Sequence, residues 1–201
     1  MGLPAGVVAV TTTVLYLNPH ATIGGAERAL LELLGELDRT RFVPVVILGE
    51  DGPLAGELRA RGVETVVEPY PSPSLYRLPW PPTLVRLARA AWRIRRLARD
   101  RGARILHGGD VTGLMLLVAA RPRGARLVYQ VHYLGGVLRR LALACLSVPA
   151  VDRLLAVSAR QPSQLGPAPG LLAGRTCVVP PVSTAAPRGS VLRPSNEADS
   201  W

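Results

Sequence analysis

Apolar residues recur along this chain in two alternating patterns. Short runs rich in Val, Ile and Leu indicate buried strands, and segments in which Leu and Ala return every three or four residues indicate helices. The runs predict strands at residues 7–17, 43–48, 63–67, 104–107, 127–132, 153–158 and 176–179. The periodic segments predict helices at residues 25–37, 53–58, 84–101, 111–120 and 137–146, with a further short helix within 159–174.

Strands that alternate with helices predict a parallel sheet covered on both faces. We therefore expect an α/β fold with a doubly wound, mostly parallel, Rossmann-like sheet over residues 1–182. Residues 69–82 contain six prolines and are predicted to form a surface loop. Residues 183–201 are polar and aperiodic, so they are predicted to be a linker or a disordered tail.

Polar clusters follow three of the predicted strands, at residues 18–25, 107–110 and 132–133. In a doubly wound sheet, ligands bind in a crevice beyond the carboxyl ends of the strands. We expect the three clusters to line one such crevice.

The first cluster contains a glycine pair, Gly24 and Gly25, between a predicted strand and a predicted helix. Such a junction points unpaired backbone N–H groups and the positive end of a helix dipole at one spot, which suits a phosphate or diphosphate. Glycine also lets a bulky ligand approach the backbone closely. The alternative is a tight turn with a helix cap and no ligand, and the residues alone leave both interpretations open.

Cysteine content and hydropathy bear on where the protein resides. The chain has only two cysteines, far apart in sequence, which fits a reduced cytosolic protein. No basic segment precedes the first apolar run, and no apolar stretch reaches the length of a spanning helix. We expect a cytoplasmic protein without a signal peptide. The three histidines are not at metal-ligand spacing, so no metal is expected.

The net charge of +10 comes from 24 arginines, since the chain has no lysine, and it is concentrated in one predicted helix. Residues 84–101 carry seven arginines and a single acid, Asp100. The basic face of this helix is made of four arginines and a tryptophan: Arg86, Arg89, Trp92, Arg93 and Arg96.

Arginines around an interfacial Trp suit an anionic membrane surface, and this face has few acids in sequence to pair with. We therefore expect peripheral association with the inner face of the membrane. The alternative is an ordinary solvated helix face. No recognition motif or base-stacking platform is present, so nucleic acid is not an expected partner.

Five segments, in order, resemble the N-terminal, acceptor-side domain of family 4 glycosyltransferases, which have the GT-B fold. They are GGAER at residues 24–28, ILHGGD at 105–110, LVYQVH at 127–132, VDRLLAVS at 151–158 and VVPPV at 178–182. Two positions depart from the family pattern. Gly109 stands where a second His is frequent, and Pro181 stands where the family has Asn.

The resemblance implies transfer of a sugar from a nucleotide-sugar donor, with the nucleotide sugar as a substrate and no separate cofactor. It implies that His132 is the catalytic histidine, hydrogen-bonded to the donor sugar, and that Gly24 and Gly25 face the donor diphosphate. His132 also fits a purely structural role at the end of a buried strand.

Three further residues are candidates for binding a sugar or lipid-linked acceptor. His20 stands in the loop before the glycines, and His107 and Asp110 stand in the second polar cluster. For Asp110 we favour a second role, as the N-cap of the helix that begins at residue 111.

In the family, a C-terminal domain binds the nucleotide, and no second glycine-rich unit follows residue 182. We therefore expect the C-terminal donor-binding domain to be absent and the chain to be inactive alone. Two alternatives stay open: a non-catalytic membrane-surface or partner-binding module, and one subunit of a split glycosyltransferase completed by a donor-binding subunit.

Overall fold

The computed structural model of the chain describes residues 11–70, 81–131, 150–156 and 173–179. Its strands are β1 (Thr12–Asn18), β2 (Phe42–Leu48), β3 (Glu64–Val67), β4 (Ala103–Gly108), β5 (Arg126–Val131), β6 (Arg153–Ala156) and β7 (Thr176–Val178). Its α-helices are α1 (Gly25–Glu36), α2 (Pro53–Ala60), α3 (Pro81–Asp100) and α4 (Val111–Ala120), and a 3-10 turn at Ala173–Arg175 precedes β7.

The seven strands form one sheet in the order β3-β2-β1-β4-β5-β6-β7, and every pairing is parallel. The predicted α/β fold class, with a doubly wound parallel sheet, is therefore confirmed. The chain first adds strands on one side of β1 and then crosses to the other side to add β4. This reversal is the topological switch point of the sheet.

Two apolar cores lie on opposite faces of the sheet, because successive side chains of a strand point to opposite faces. On one face, α1 and α2 contribute Leu31, Leu34, Leu54 and Leu58 to a core that includes Tyr16. On the other face, α3 and α4 pack against Leu15, Leu17, Leu106 and Leu127, and they contribute Ala90, Ile94, Leu114 and Leu117.

The proline-rich segment differs from its prediction at both ends. Pro81 and Pro82 form the first turn of α3 rather than the end of a loop. Proline is tolerated there because the first-turn N–H groups have no intrahelical partner. At the other end, Tyr70 is buried in the core beside α3 and α4 instead of lying on the surface.

Most other boundaries agree with the sequence to within a few residues, and the helix at residues 111–120 agrees at both ends. Several predicted features lie outside the described residues: the helix at 137–146, the strand residues before 11 and the tail at 183–201.

An ion pair joins α4 to the last strands at the amino edge of the sheet. Arg121 donates to the backbone oxygens of Ala125 and Ala150 and, over 2.7 Å, to Oδ2 of Asp152. The same oxygen accepts the N–H of Leu127 at the start of β5 over 2.8 Å. Asp152 therefore satisfies a guanidinium and a backbone amide that are both partly buried.

Replacing Asp152 should destabilise the domain. Asp152→Ala leaves the guanidinium and the amide without this acceptor, so we expect the free energy of unfolding to fall by about 1–3 kcal/mol. Asp100→Ala is the matched control, because Asp100 is exposed and lies 3.7 Å from Arg96. Its effect should stay within about 0.5 kcal/mol. Equal losses in urea denaturation would contradict a special role for Asp152.

The raised pKa of Tyr16 predicts that the stability of the domain depends on pH above pH 10. Burial raises its pKa to about 12, although the charge of Arg39 opposes the shift. In the unfolded chain the phenol ionises near its usual pKa of about 10. Its contribution to stability is therefore complete below pH 10 and is lost between pH 10 and 12, at up to about 1.4 kcal/mol per pH unit.

Tyr16→Phe should flatten the alkaline limb of the stability curve measured by urea unfolding between pH 8 and 12. The chain has no lysine, so the other side chains that titrate in this window are cysteines and tyrosines, and the remaining slope in Tyr16→Phe belongs to them. Parallel curves for the two proteins would show that Tyr16 does not carry this pH dependence.

Candidate functional site

The switch point between β1 and β4 creates a crevice at the carboxyl edge of the sheet. Leu17 pairs with Gly108, so the two strands end side by side. The loop after β1 then leads to α1 on one face, and the loop after β4 leads to α4 on the other. The loops diverge above the sheet, and the space between them is the site that this class of fold uses for ligands.

The loop after β1 rests on the loop after β2. The N–H of Gly49 donates to the oxygen of Asn18, and the N–H of Leu54 donates to the oxygen of Ala21. A Cβ at Gly49 would lie 2.6 Å from the backbone oxygen of Pro19, so only glycine allows this approach. The close contact fixes the path of the chain toward the glycine pair.

Glu27 organises the glycine pair from inside the first turn of α1. Its Oε2 accepts the N–H of Gly24 over 3.1 Å, and its Oε1 accepts Nδ2 of Asn18 over 3.3 Å. The side chain is buried, and it places an acidic group at the positive end of the helix dipole. The amide of Gly24 is thus committed to Glu27, and its diphosphate role stays a prediction.

Gly25 is more open than Gly24. Its backbone is exposed, and a Cβ built there meets no atom within 4 Å. Because the N-cap residue Gly24 has no side chain, it makes no side-chain bond to the first-turn amides of α1. The sequence predicts that glycine is needed here. Only the structure shows that Gly24 is bonded to Glu27 while Gly25 stays open.

His20 lies on the rim of the crevice. Its side chain is exposed, and its Nδ1 lies 3.5 Å from Oε1 of Glu50, which also accepts the N–H of Ala21. This contact ties the histidine to the loop after β2. Its acceptor-binding role stays a prediction.

His107 lies within a strand, in agreement with the strand predicted at residues 104–107. β4 continues to Gly108, so His107 is a strand residue, and it is only 8% exposed. Its ring centroid lies 5.0 Å from that of Tyr16, in a tilted arrangement between neighbouring strands. The imidazole is therefore part of the layer beneath the crevice, and acceptor binding by His107 stays a prediction.

Asp110 is the N-cap of α4, as the sequence suggested. Its backbone is extended, and its Oδ1 accepts the N–H of Gly113 over 2.9 Å. A Cβ at Gly113 would lie 2.6 Å from Oδ2, so the glycine makes room for the carboxylate. The cap holds a carboxylate at the carboxyl edge of the sheet, and its contact with an acceptor stays a prediction.

Tyr70 is a polar residue of this region that the sequence analysis missed. It follows β3, is 9% exposed, and shares a core with Leu17 and Val111. Its hydroxyl makes no hydrogen bond to any described residue. Burial, and to a lesser extent the charge of Asp110, raises the pKa of Tyr70 above its usual range. The only signal in the sequence was its place after a strand, and the neighbouring prolines suggested a surface loop.

The remaining candidates divide between the crevice and other parts of the molecule. The structure gathers Gly24, Gly25, His20 and Asp110 along the two loops of the crevice, with His107 below. His132, the predicted catalytic histidine, lies outside the described residues. Within the described ranges no three His, Cys, Asp or Glu side chains are grouped as metal ligands.

The basic face of α3 corrects one expectation. Arg93 donates to Glu68 over 2.8 Å, and Arg96 lies 3.7 Å from Asp100 and 5.9 Å from the ring centroid of Trp92. The expectation of few acidic partners therefore missed the partner of Arg93, whereas the acid beside Arg96 is Asp100, the single acid that the segment contains. Glu68 follows β3, 25 positions earlier in sequence, so the chain order alone gave no sign of the first pair.

The first half of α3 is different. Arg86 and Arg89 are exposed, and neither forms an ion pair with a described residue. Leu84 and Val85 are also exposed, as is Trp92 in the middle of the helix at 60%. No helix in the described part of the chain has the length and apolar character needed to cross a bilayer.

A protein family and several solved structures are similar to this chain. The model of Glycosyltransferase Family 4 matches residues 23–181. A search of curated proteins finds no match. Among solved structures, the fold is similar to that of Anabaena HepE in complex with UDP and glucose, with a TM-score of 0.65 and 19% identity over 84% of this chain and 44% of that one.

Two further structures are similar. The lipopolysaccharide outer core galactosyltransferase WaaB has a TM-score of 0.63 and 14% identity, over 85% of this chain and 45% of that one. A glycosyltransferase from Rickettsia africae has a TM-score of 0.58 and 18% identity, over 85% and 43%. At these identities the similarity shows the fold alone. The chain spans less than half the length of each of the three proteins.

Proposed function

This chain belongs to glycosyltransferase family 4, and we propose that it forms the acceptor-side wall of an active site that transfers a sugar from a nucleotide-sugar donor to an acceptor. The crevice between β1 and β4 carries the proposal. It combines a glycine pair at the start of α1 with a carboxylate at the start of α4, on the edge of the sheet where this class of fold binds ligands.

In the proposed reaction, the start of α1 stabilises the diphosphate of the donor. Charge grows on the diphosphate as the bond to the sugar breaks, and fixed N–H groups with a helix dipole favour that charge. Gly25 suits this role because it is exposed and has open space around its Cα. Glu27 keeps Gly24 in place, so the loop is already ordered before a ligand arrives.

The acceptor in this proposal lies toward the α4 side of the crevice near Asp110, and His20 faces it from the rim, in the loop after β1. His107 lies beneath the crevice, where its ring contacts Tyr16 on the face covered by α1 and α2. We assign His132 the role of hydrogen-bonding the donor sugar, on the basis of its place in the family motif. The nucleotide sugar is a substrate, and no separate cofactor takes part in the proposed reaction.

We also propose that a donor-binding domain faces the crevice, on this chain or on a partner subunit. HepE, which is similar to this chain over less than half its own length, was solved with UDP and glucose. Groups from two sides of a cleft are needed to hold donor and acceptor in a reactive geometry.

Gly25→Ala tests the donor side of the proposal. A methyl group at Gly25 meets no protein atom within 4 Å, so the domain should remain folded, but a diphosphate at the helix start would lose its close approach. With a family 4 donor-binding domain supplied, we expect kcat/KM for sugar transfer to fall by about 10-fold or more.

Gly35→Ala is the matched control for Gly25→Ala. It makes the same change near the end of the same helix, again with no atom within 4 Å. It should leave transfer unchanged and stabilise the domain by about 0.5–1 kcal/mol. If the two variants transfer sugar equally well, Gly25 does not contact the donor. If the wild type transfers no sugar with any donor-binding domain, the proposed function fails.

A second proposal concerns the first half of α3, which we propose binds an anionic membrane surface that presents the acceptor. Arg86 and Arg89 stand beside the exposed Leu84 and Val85. An adjoining apolar groove of about 190 Å³ lies between α3 and α4 and is lined by Leu84, Leu87, Ala88, Ala91, Thr112, Met115, Leu116 and Ala119. Exposed apolar and arginine side chains on one helix suit an interfacial location.

The double variant Arg86→Gln/Arg89→Gln tests this surface. Each arginine near an anionic surface contributes about 1 kcal/mol, so the pair should lower binding to phosphatidylserine-containing vesicles about 30-fold at low salt. Binding of the wild type should weaken as salt rises. Co-sedimentation with anionic and with neutral vesicles measures both effects.

Arg104→Gln/Arg123→Gln removes the same charge from the amino edge of the sheet and is the control. Its binding should stay near that of the wild type. Equal losses in the two double variants would mean that only net charge matters, and binding to neutral vesicles at the same strength would contradict an electrostatic contact.

A further inference from the structure

A groove of about 340 Å³ lies between β3 and the second half of α3, and neither the proposed transfer reaction nor the proposed membrane surface uses it. None of its lining residues belongs to the loops after β1 and β4 that form the crevice. Its volume falls within the range of about 300–1,000 Å³ that is typical of small-molecule sites. Size and separation from the crevice make this groove a candidate for a second ligand site.

Two ion pairs between β3 and α3 explain why the groove exists. Glu64, Val66 and Glu68 alternate along the chain, and the N–H of Glu68 continues the pairing with β2, so the three side chains share one face. Arg93 donates to Glu68 over 2.8 Å, and Arg101 donates to Glu64 over 2.7 Å. Long side chains therefore join the helix to the edge strand, and the smaller Val66 lies between them and leaves the space open.

The floor of the groove is apolar. Ile47 and Ile94 are buried there, and Val66 and Leu97 are partly buried. Trp92 adds an indole that is 60% exposed, the largest exposed fraction of any large apolar side chain that the structure describes. An exposed aromatic ring beside an apolar floor offers a surface on which another ring can stack.

The charged residues of the groove are two acids and two arginines, and their formal charges cancel although the chain carries +10. Glu68 accepts from Arg93, and Asp100 lies 3.7 Å from Arg96. A phosphate or carboxylate ligand would meet the acids as well as the arginines, so the groove does not favour an anion. It suits an uncharged ligand that donates hydrogen bonds to carboxylates and accepts them from guanidinium groups.

We propose that this groove binds a short neutral saccharide, at a site separate from the crevice. The C–H groups on one face of a sugar ring carry slight positive charge, which is attracted to the negative face of an aromatic ring such as that of Trp92. The hydroxyls at the edge of the sugar donate to Glu68 and Asp100 and accept from the arginines. A purely apolar ligand would leave these charged groups without partners. The site goes beyond the proposed transfer reaction and does not depend on it.

Trp92→Ala tests the site by isothermal titration calorimetry on the whole chain. The probes are maltotriose, cellotriose, mannotriose and triacetylchitotriose, and sorbitol is the control polyol without a ring. We expect at least one trisaccharide to bind more tightly than sorbitol, and Trp92→Ala to weaken that trisaccharide about 10-fold or more. The domain should stay folded, because Trp92 is mostly exposed.

Leu33→Ala is the matched control for Trp92→Ala. Leu33 is also an exposed apolar residue on a helix, but it belongs to α1 on the opposite face of the sheet, so trisaccharide affinity should not change. Trp92→Phe keeps a smaller aromatic ring and should restore part of the affinity that Trp92→Ala loses. The chain has two other tryptophans, so a change in fluorescence on binding that disappears in Trp92→Phe is assigned to Trp92.

Glu68→Gln tests the polar side of the groove. It keeps the shape of the side chain and removes the charge that holds Arg93, so the same trisaccharide should bind about 5-fold or more weakly, because hydrogen bonds to a charged acceptor are the stronger ones. Glu57→Gln is its control. It breaks a similar ion pair, with Arg61 over 2.8 Å on α2, and should leave trisaccharide affinity unchanged.

The outcomes are independent of the transfer assay. If no trisaccharide binds better than sorbitol, or if Trp92→Ala binds as well as the wild type, the saccharide site is refuted even where the chain takes part in sugar transfer. Sedimentation velocity tests the other occupant. A dimer that Trp92→Ala dissociates, in a protein that binds no trisaccharide, would assign the groove to a contact between two copies and overturn the proposal. Trisaccharide binding that depends on Trp92 and Glu68 supports the site even if no donor-binding domain restores transfer.

Discussion

The reversal of strand order between β1 and β4 is the constraint on which the rest of this structure depends. Because β1 is paired with β2 on one side and β4 on the other, the chain must place α1 and α2 on one face and α3 and α4 on the opposite face. That arrangement creates two separate apolar cores and buries most residues of the central strands. It also sends two loops apart at the carboxyl edge, so the crevice follows directly from the topology that buries the core.

The crevice is ordered by polar contacts that are already complete in the protein. Glu27 holds Gly24 and Asn18, and Asp110 holds Gly113. Each helix start therefore carries a carboxylate, but the two differ in what they leave open. At α1 the carboxylate turns back on the loop and leaves Gly25 exposed, whereas at α4 it caps the first turn. The side with open backbone suits a phosphate, and the side with a capped carboxylate suits a group that donates hydrogen bonds.

The sequence predicted what depends on local pattern and missed what depends on distant contacts. Strand and helix order, the helix at residues 111–120 and the Asp110 cap follow from periodicity and capping rules that act within a few residues. The burial of Tyr70 and the pairing of Arg93 with Glu68 were not predictable, because each joins α3 to residues near β3 across the proline-rich segment. The strand predicted at residues 104–107 already included His107, and β4 extends it by one residue at each end.

Tertiary contacts distinguish the two halves of α3, although both halves are rich in arginine. Arg93 and the neighbouring Arg101 are held by Glu68 and Glu64 near the edge strand β3, so the second half of the helix is fixed to the sheet. The first half, with Arg86 and Arg89, lies toward the carboxyl edge because α3 runs antiparallel to the strands that it connects. The free cationic surface and the crevice are thus on the same side of the domain. A membrane bound by the first half of α3 would bring a lipid-linked acceptor to the edge of the sheet that holds the crevice, so the proposed surface and the proposed active-site wall would act on one substrate.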